Sequence, residues 1–163
     1  MSDAFELRRF VDAQNPIYDD VLAELRARRK ESHWMWFIFP QIEGLGRSPT
    51  AVRFAIKSRA EAQAYAGHPI LGPRLRECTE LVNAIQSQTA SQIFGYPDDL
   101  KFHSSMTLFA ETVPDPSIFR RALEKYFAGE PDSQTIVVLA EPRQDRRRKN
   151  SPPGFGCVAN KGL

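Results

Sequence analysis

The sequence predicts a mainly α-helical fold: a single compact domain of about six to seven helices over residues 1–141, followed by a basic, disordered C-terminal tail over 142–163. Three observations carry this reading. Apolar residues recur every three or four positions through most of the first 141 residues. Helix-start signals, in which a short polar residue precedes proline or stands three positions before Glu or Gln, introduce those stripes. From Pro142 onward the period vanishes and the chain turns rich in Arg, Pro and Gly, a composition that buries too little apolar surface to fold.

Each element follows from these signals in turn. Ser2 is placed to cap a first helix with Phe5, Leu7, Phe10 and Val11 inward. Asn15-Pro16 reads as an N-cap with proline at the first helical position, opening a stripe of Ile17, Val21 and Leu25. Asp19 and Asp20 in its first turn and Arg26, Arg28, Arg29 and Lys30 near its end complement the helix dipole. Ser48-Pro49 is a second cap-plus-proline start. Ser58 and Glu61 fit a capping box, Gly67 suits a left-handed cap, and His68-Pro69 follows as a stop. Leu71, Leu75, Cys78, Val82 and Ile85 describe a long helix with one buried face. Thr89 and Gln92 form a second capping box before Gly95. Pro97-Asp98-Asp99 opens a helix carrying Phe102, Met106 and Phe109, and Asp115-Pro116 opens another carrying Phe119, Leu123, Tyr126 and Phe127. Thr135–Leu139 is β-branched, but a strand with no partner nearby is unstable, so it reads as a closing helix.

Composition excludes several classes. The chain has 163 residues with 42% hydrophobic and 26% charged residues, ordinary values for a globular domain. No apolar run approaches the length of a membrane span, and the first ten residues, acidic early and without an apolar core, do not form a secretory signal. The expected location is cytoplasmic, with no membrane partner. The formal net charge of +2 is an average over unlike parts. The tail holds six basic residues and one acid, which leaves 16 basic against 19 acidic residues in the body. Nucleic acid is therefore an unlikely partner, since only Arg146–Lys149 would attract phosphates. Two cysteines, Cys78 and Cys157, do not make a disulfide framework. The three histidines lie far apart and no cysteine pair has zinc spacing, so no metal is expected. The common phosphate, dinucleotide and nucleophile-elbow motifs are absent, and no cofactor is expected.

Two segments carry the candidate chemistry. In Ser32-His-Trp-Met-Trp-Phe-Ile-Phe-Pro-Gln41, four of the seventeen aromatic residues occupy positions 34–39. So apolar a run must be buried on several sides. Trp34 and Trp36, two apart, cannot share a helix face; one is suited to the core and the other to a cavity wall. His33 and Gln41 bracket the run as polar ends, and His33 has an intrinsic pKa suited to acid–base work. Simple core packing accounts for this segment equally well. The second segment, Lys101-Phe-His-Ser-Ser-Met-Thr-Leu-Phe109, sets a cation, an imidazole and three hydroxyls among apolar anchors. Lys101, Ser104, Ser105 and Thr107 suit a phosphate, carboxylate or sugar, although helical Ser and Thr also satisfy themselves on preceding carbonyls.

The strings RRFVDAQ (8–14), RKESHWMWFIFPQIEGLGRS (29–48), EAQAYAGHPILGPRL (61–75), IFGYPDDLKFHSSMTLF (93–109) and FRRALEKYFAGEPDSQT (119–135) resemble domain-of-unknown-function family 1810. The resemblance spans about residues 3–140 and implies a mainly α-helical fold. It implies no reaction. The calpastatin label attached to some relatives suits a disordered repetitive inhibitor, not a patterned globular chain. His33 matches the family pattern, whereas relatives frequently carry arginine at position 103.

Three functions follow as expectations. The first is a small-molecule pocket for a nucleotide or sugar-phosphate-like ligand, with hydrolysis as its catalytic variant. It places His33 as the acid–base group, with Trp34, Trp36, Gln41, Lys101, Ser104, Ser105 and Thr107 as the lining. The second is a non-catalytic protein-interaction or regulatory module, using a surface patch near Gly44–Arg47 or the acidic body and marked by an exposed apolar patch with no cavity of ligand size. The third is nucleic-acid binding through the tail.

Overall fold

The structure, a computed structural model, describes residues 3–141. Among them are ten α-helices and no strand: α1 Arg8–Gln14, α2 Tyr18–Arg26, α3 Met35–Ile38, α4 Pro49–Arg53, α5 Arg59–Gly67, α6 Leu71–Ala84, α7 Ala90–Phe94, α8 Asp98–Thr112, α9 Ser117–Phe127 and α10 Ser133–Ala140. The helical class is as the sequence predicts. The larger number comes from α3, α4 and α7, of four or five residues each, because a single turn is too short to repeat an apolar stripe. The tail expected to be disordered and the Ser2 cap lie outside the described residues.

Helix α8 runs through the centre. Phe102, Ser104 through Ala110 and Thr112 are all buried, so it is enclosed nearly all round and packs against α3, α5, α7, α9 and α10. Its two threonines bond back locally: Thr107 donates to the His103 carbonyl at 2.9 Å and Thr112 to that of Leu108 at 2.8 Å. Phe102 anchors an aromatic cluster, stacked on Phe94 at 4.7 Å and edge-on to Phe39 at 5.0 Å. The apolar run before α8 threads the interior as expected, with Trp34, Met35, Ile38, Phe39 and Ile42 each at most 2% exposed.

Beyond α3 the chain is pinned by an isolated parallel bridge, Ile42 to Ile56. The Ile56 amide donates to the Gln41 carbonyl and the Glu43 amide to the Ile56 carbonyl, both at 2.8 Å. Arg9 ties the other side. Its guanidinium donates to the carbonyls of Arg53 and Ala55 at 2.8 and 3.0 Å and pairs with the Glu61 carboxylate at 2.8 Å. Gln14, also buried, donates to the Phe37 carbonyl and the Tyr65 hydroxyl and accepts from Arg74.

The capping signals at Ser48, Ser58 and Thr89 are all in use, the last as a full box with Gln92. Thr135–Leu139 is helical within α10, whose first turn is held by the Asp132 carboxylate. Two boundaries differ from expectation. Asn15 has helical dihedrals and its amide bonds to Val11, so it continues α1, and α2 begins at Tyr18. Gly67 closes no left-handed cap: it ends α5, and the chain leaves through an extended His68. Among the described residues, no helix is long and apolar enough to cross a membrane.

Candidate functional site

Three local structures meet beside the buried run. The loop 41–48 leaves the Ile42–Ile56 bridge, turns at Gly44 with a φ of +95°, and ends at the Ser48 cap of α4. Gly44 suits that left-handed turn because it has no Cβ. The first half of α8 faces this loop, and the start of α10 closes the third side. Between them lies a cavity of about 510 Å³, whose lining includes Trp36, Gln41, Arg47, Lys101, His103 and Ser104.

The cations differ in how they are held. Lys101 stands 4.5 Å above the centre of the Trp36 ring and 3.2 Å from Asp98, which also receives Lys30 at 2.7 Å. Asp98 therefore bridges two ammonium groups, and an electron-rich indole face supports one of them. The Arg47 guanidinium makes no hydrogen bond or ion pair with any described residue, and the same holds for the Gln41 side-chain amide. A cation and an amide on a cavity wall with no protein partner are open to a ligand.

The remaining polar groups are framework. The Ser104 hydroxyl lies 3.1 Å from both the Leu100 carbonyl and the Asp132 carboxylate, and Asp132 in turn accepts from the Thr135 amide and hydroxyl. His103 sits flat on Phe127, with 3.9 Å between rings, and its Nε2 is 2.7 Å from the Glu130 carbonyl. A carbonyl only accepts, so Nε2 is the donor in this contact.

The residues singled out from sequence thus divide. Trp36, Gln41, Lys101 and Ser104 line one cavity. Trp34 belongs to the core: it is 1% exposed, and its Nε1 donates to Glu24 at 3.3 Å. Thr107 is buried and its hydroxyl accepts from the Asp132 amide at 2.8 Å, fixing the start of α10 from beneath. Ser105 is buried away from the lining with its hydroxyl unpartnered. His33 does not meet Lys101 across the cavity; it is exposed and outside the lining, because the chain turns inward only at Trp34. The imidazole at the cavity is His103.

The sequence places Arg47 in an interaction patch near Gly44–Arg47, not in this cavity, and gives no sign of Asp132, Ser133 and Gln134. The available signal was a cation between Gly46 and a Ser-Pro helix start, which places it at the mouth of a short turn. A larger groove of about 670 Å³ lies between α1 and the α5–α6 corner. Several of its polar groups are already engaged: Asp3 accepts from the Leu7 and Arg8 amides, His68 Nδ1 from those of Ile70 and Leu71, and Arg8 lies 3.6 Å from Asp12. The smaller cavity is the better candidate.

Among the described residues, fold and site define a mainly α-helical domain with an aromatic- and cation-lined cleft beside its central helix. The chain belongs to the family described as Protein of unknown function (DUF1810), which matches residues 4–139. It is similar to the crystal structure of a conserved hypothetical protein from Mycobacterium tuberculosis. The two share 55% identity and a TM-score of 0.85 over 86% of this chain and 100% of the other. No curated protein matches the chain.

Proposed function

We propose that this domain binds a small anionic molecule with a flat ring, of nucleotide or sugar-phosphate type, in the cavity between the 32–41 and 101–109 segments. The observation that carries the reading is Lys101, held over the Trp36 ring by Asp98, with the unpartnered Arg47 and Gln41 on the same wall. Trp36 offers an aromatic face, the two cations offer charge-assisted bonds to an anion, and the Gln41 amide offers one donor and one acceptor edge. The volume falls within the range of small-molecule sites, about 300–1,000 Å³. The role is binding. Proton transfer at this cavity would fall to His103, the imidazole in its lining, and not to His33.

Titration calorimetry of the full chain with AMP, ADP and ribose 5-phosphate tests the reading. At least one binds, and Lys101→Met weakens it by about 10- to 100-fold, the worth of a hydrogen bond to a charged group. Trp36→Leu weakens ring-bearing ligands more than ribose 5-phosphate. Absence of binding by all three, or binding indifferent to Lys101→Met, refutes it.

A further inference from the structure

A second hollow of about 460 Å³ adjoins the Gly44–Arg47 loop, its lining including Glu43, Gly44, Arg47, Val52 and Ala55. The two cavities have Gly46 and Arg47 in common. The partition between them is thin and fixed: a Cβ on Gly46 would lie 2.6 Å from that of Ala51, so the loop rests directly on α4. The bridge to Ile56 holds one end of the loop and the Ser48 cap the other. Arg47, which lines both hollows, is exposed and has no hydrogen bond or ion pair among the described residues.

We infer that the two hollows are halves of one bipartite site, and that its ligand is a nucleoside diphosphate bearing a second sugar. The inference rests on the reading of the first cavity as a nucleotide- or sugar-phosphate-type site. The ring-bearing half occupies the Trp36 side. The diphosphate crosses the partition, where Arg47 makes a two-pronged contact that a planar guanidinium suits better than an ammonium. The far sugar enters the second hollow, where the Glu43 carboxylate accepts from its hydroxyls. Two features set this arrangement apart from a mononucleotide site. Arg47, without a partner among the described residues, lines both hollows, and the hollows are of similar size.

The test is calorimetry on the full chain with AMP, ADP and ADP-ribose, repeated on Arg47→Gln and Val52→Trp. Val52 is 60% exposed on α4, so the larger side chain fills the second hollow without entering the core. ADP-ribose is expected to bind about tenfold or more tighter than ADP. Val52→Trp brings that ratio close to one, and Arg47→Gln weakens ADP and ADP-ribose more than AMP. If ADP binds but ADP-ribose binds no tighter, or if Val52→Trp leaves the ratio intact, the bipartite site is refuted while the first cavity stands. If none of the three binds, the reading of the first cavity fails and takes this inference with it.

Discussion

Replacing Arg9 with methionine is the most informative perturbation of the frame behind the cleft. The Arg9 guanidinium makes five bonds: to the carbonyls of Phe5, Glu6, Arg53 and Ala55 and to Glu61. Its side chain is 13% exposed and that of Glu61 only 2%. Methionine keeps most of the apolar stem and removes every donor. The Glu61 carboxylate is then left buried with backbone partners alone, chiefly the Lys57 amide. Breaking one side of a buried pair costs about 3–5 kcal/mol, a large share of the 5–15 kcal/mol that holds a typical domain. The carbonyls of Arg53 and Ala55, where α4 ends beneath the cleft, lose donors as well. Glu61→Leu alone is also costly, because it strands the guanidinium. The double variant costs less than the two singles together by about 2 kcal/mol or more, since neither charge is then left unpaired. Urea unfolding of the four proteins at neutral pH, followed by tryptophan fluorescence, measures this directly. A loss under about 1 kcal/mol for Arg9→Met, or additivity within about 0.5 kcal/mol, would refute the reasoning.

Two further outcomes follow from particular contacts. Gly72→Ala places a Cβ 2.2 Å from the Ala66 carbonyl oxygen, where backbone must move. A loss of about 1–3 kcal/mol is expected in urea unfolding, and an unchanged midpoint would contradict that close approach. Glu24 accepts from the Glu31 and Ser32 amides and from the Trp34 indole, and so fixes the chain as it turns inward. Burial pushes its carboxyl up, but the bonds from the Ser32 and Glu31 amides outweigh burial and hold it below its usual 4.5. A depressed folded value adds stability that is present above the unfolded value and lost as pH falls through the folded one. The stability gap between the wild type and Glu24→Gln is therefore full at neutral pH and shrinks below about pH 4.5; a gap that widens on acidification contradicts the assignment.

Much of this was legible in the residues. The α6 stripe from Leu71 to Val82 and the caps at Ser48, Ser58 and Thr89 rest on local rules, and the structure obeys them. The division of Trp34 and Trp36 between core and cavity wall followed from their spacing of two. Asn15 misled because a residue that suits an N-cap also suits a helix end, and the preceding helix reached it first. The site was half visible. Lys101 and Gln41 stood out as polar groups beside aromatic runs. Arg47 and Asp132 did not, because their significance comes from a loop and a helix start brought to α8 from about 55 residues before and 30 after it. Nothing local marks His33 as exposed while its neighbour Trp34 is buried; that depends on Glu24 gathering the turn from another helix.

The central claim is that a phosphate-bearing ligand sits beside Lys101 and Trp36. A crystal structure of the full chain grown with ADP tests it most directly. Density is expected in the cleft between α8 and the 41–48 loop, with phosphate oxygens within hydrogen-bonding distance of Lys101 Nζ and the Arg47 guanidinium. An empty cleft with ADP at saturating concentration, or ADP seated instead in the groove beside His68, would contradict it.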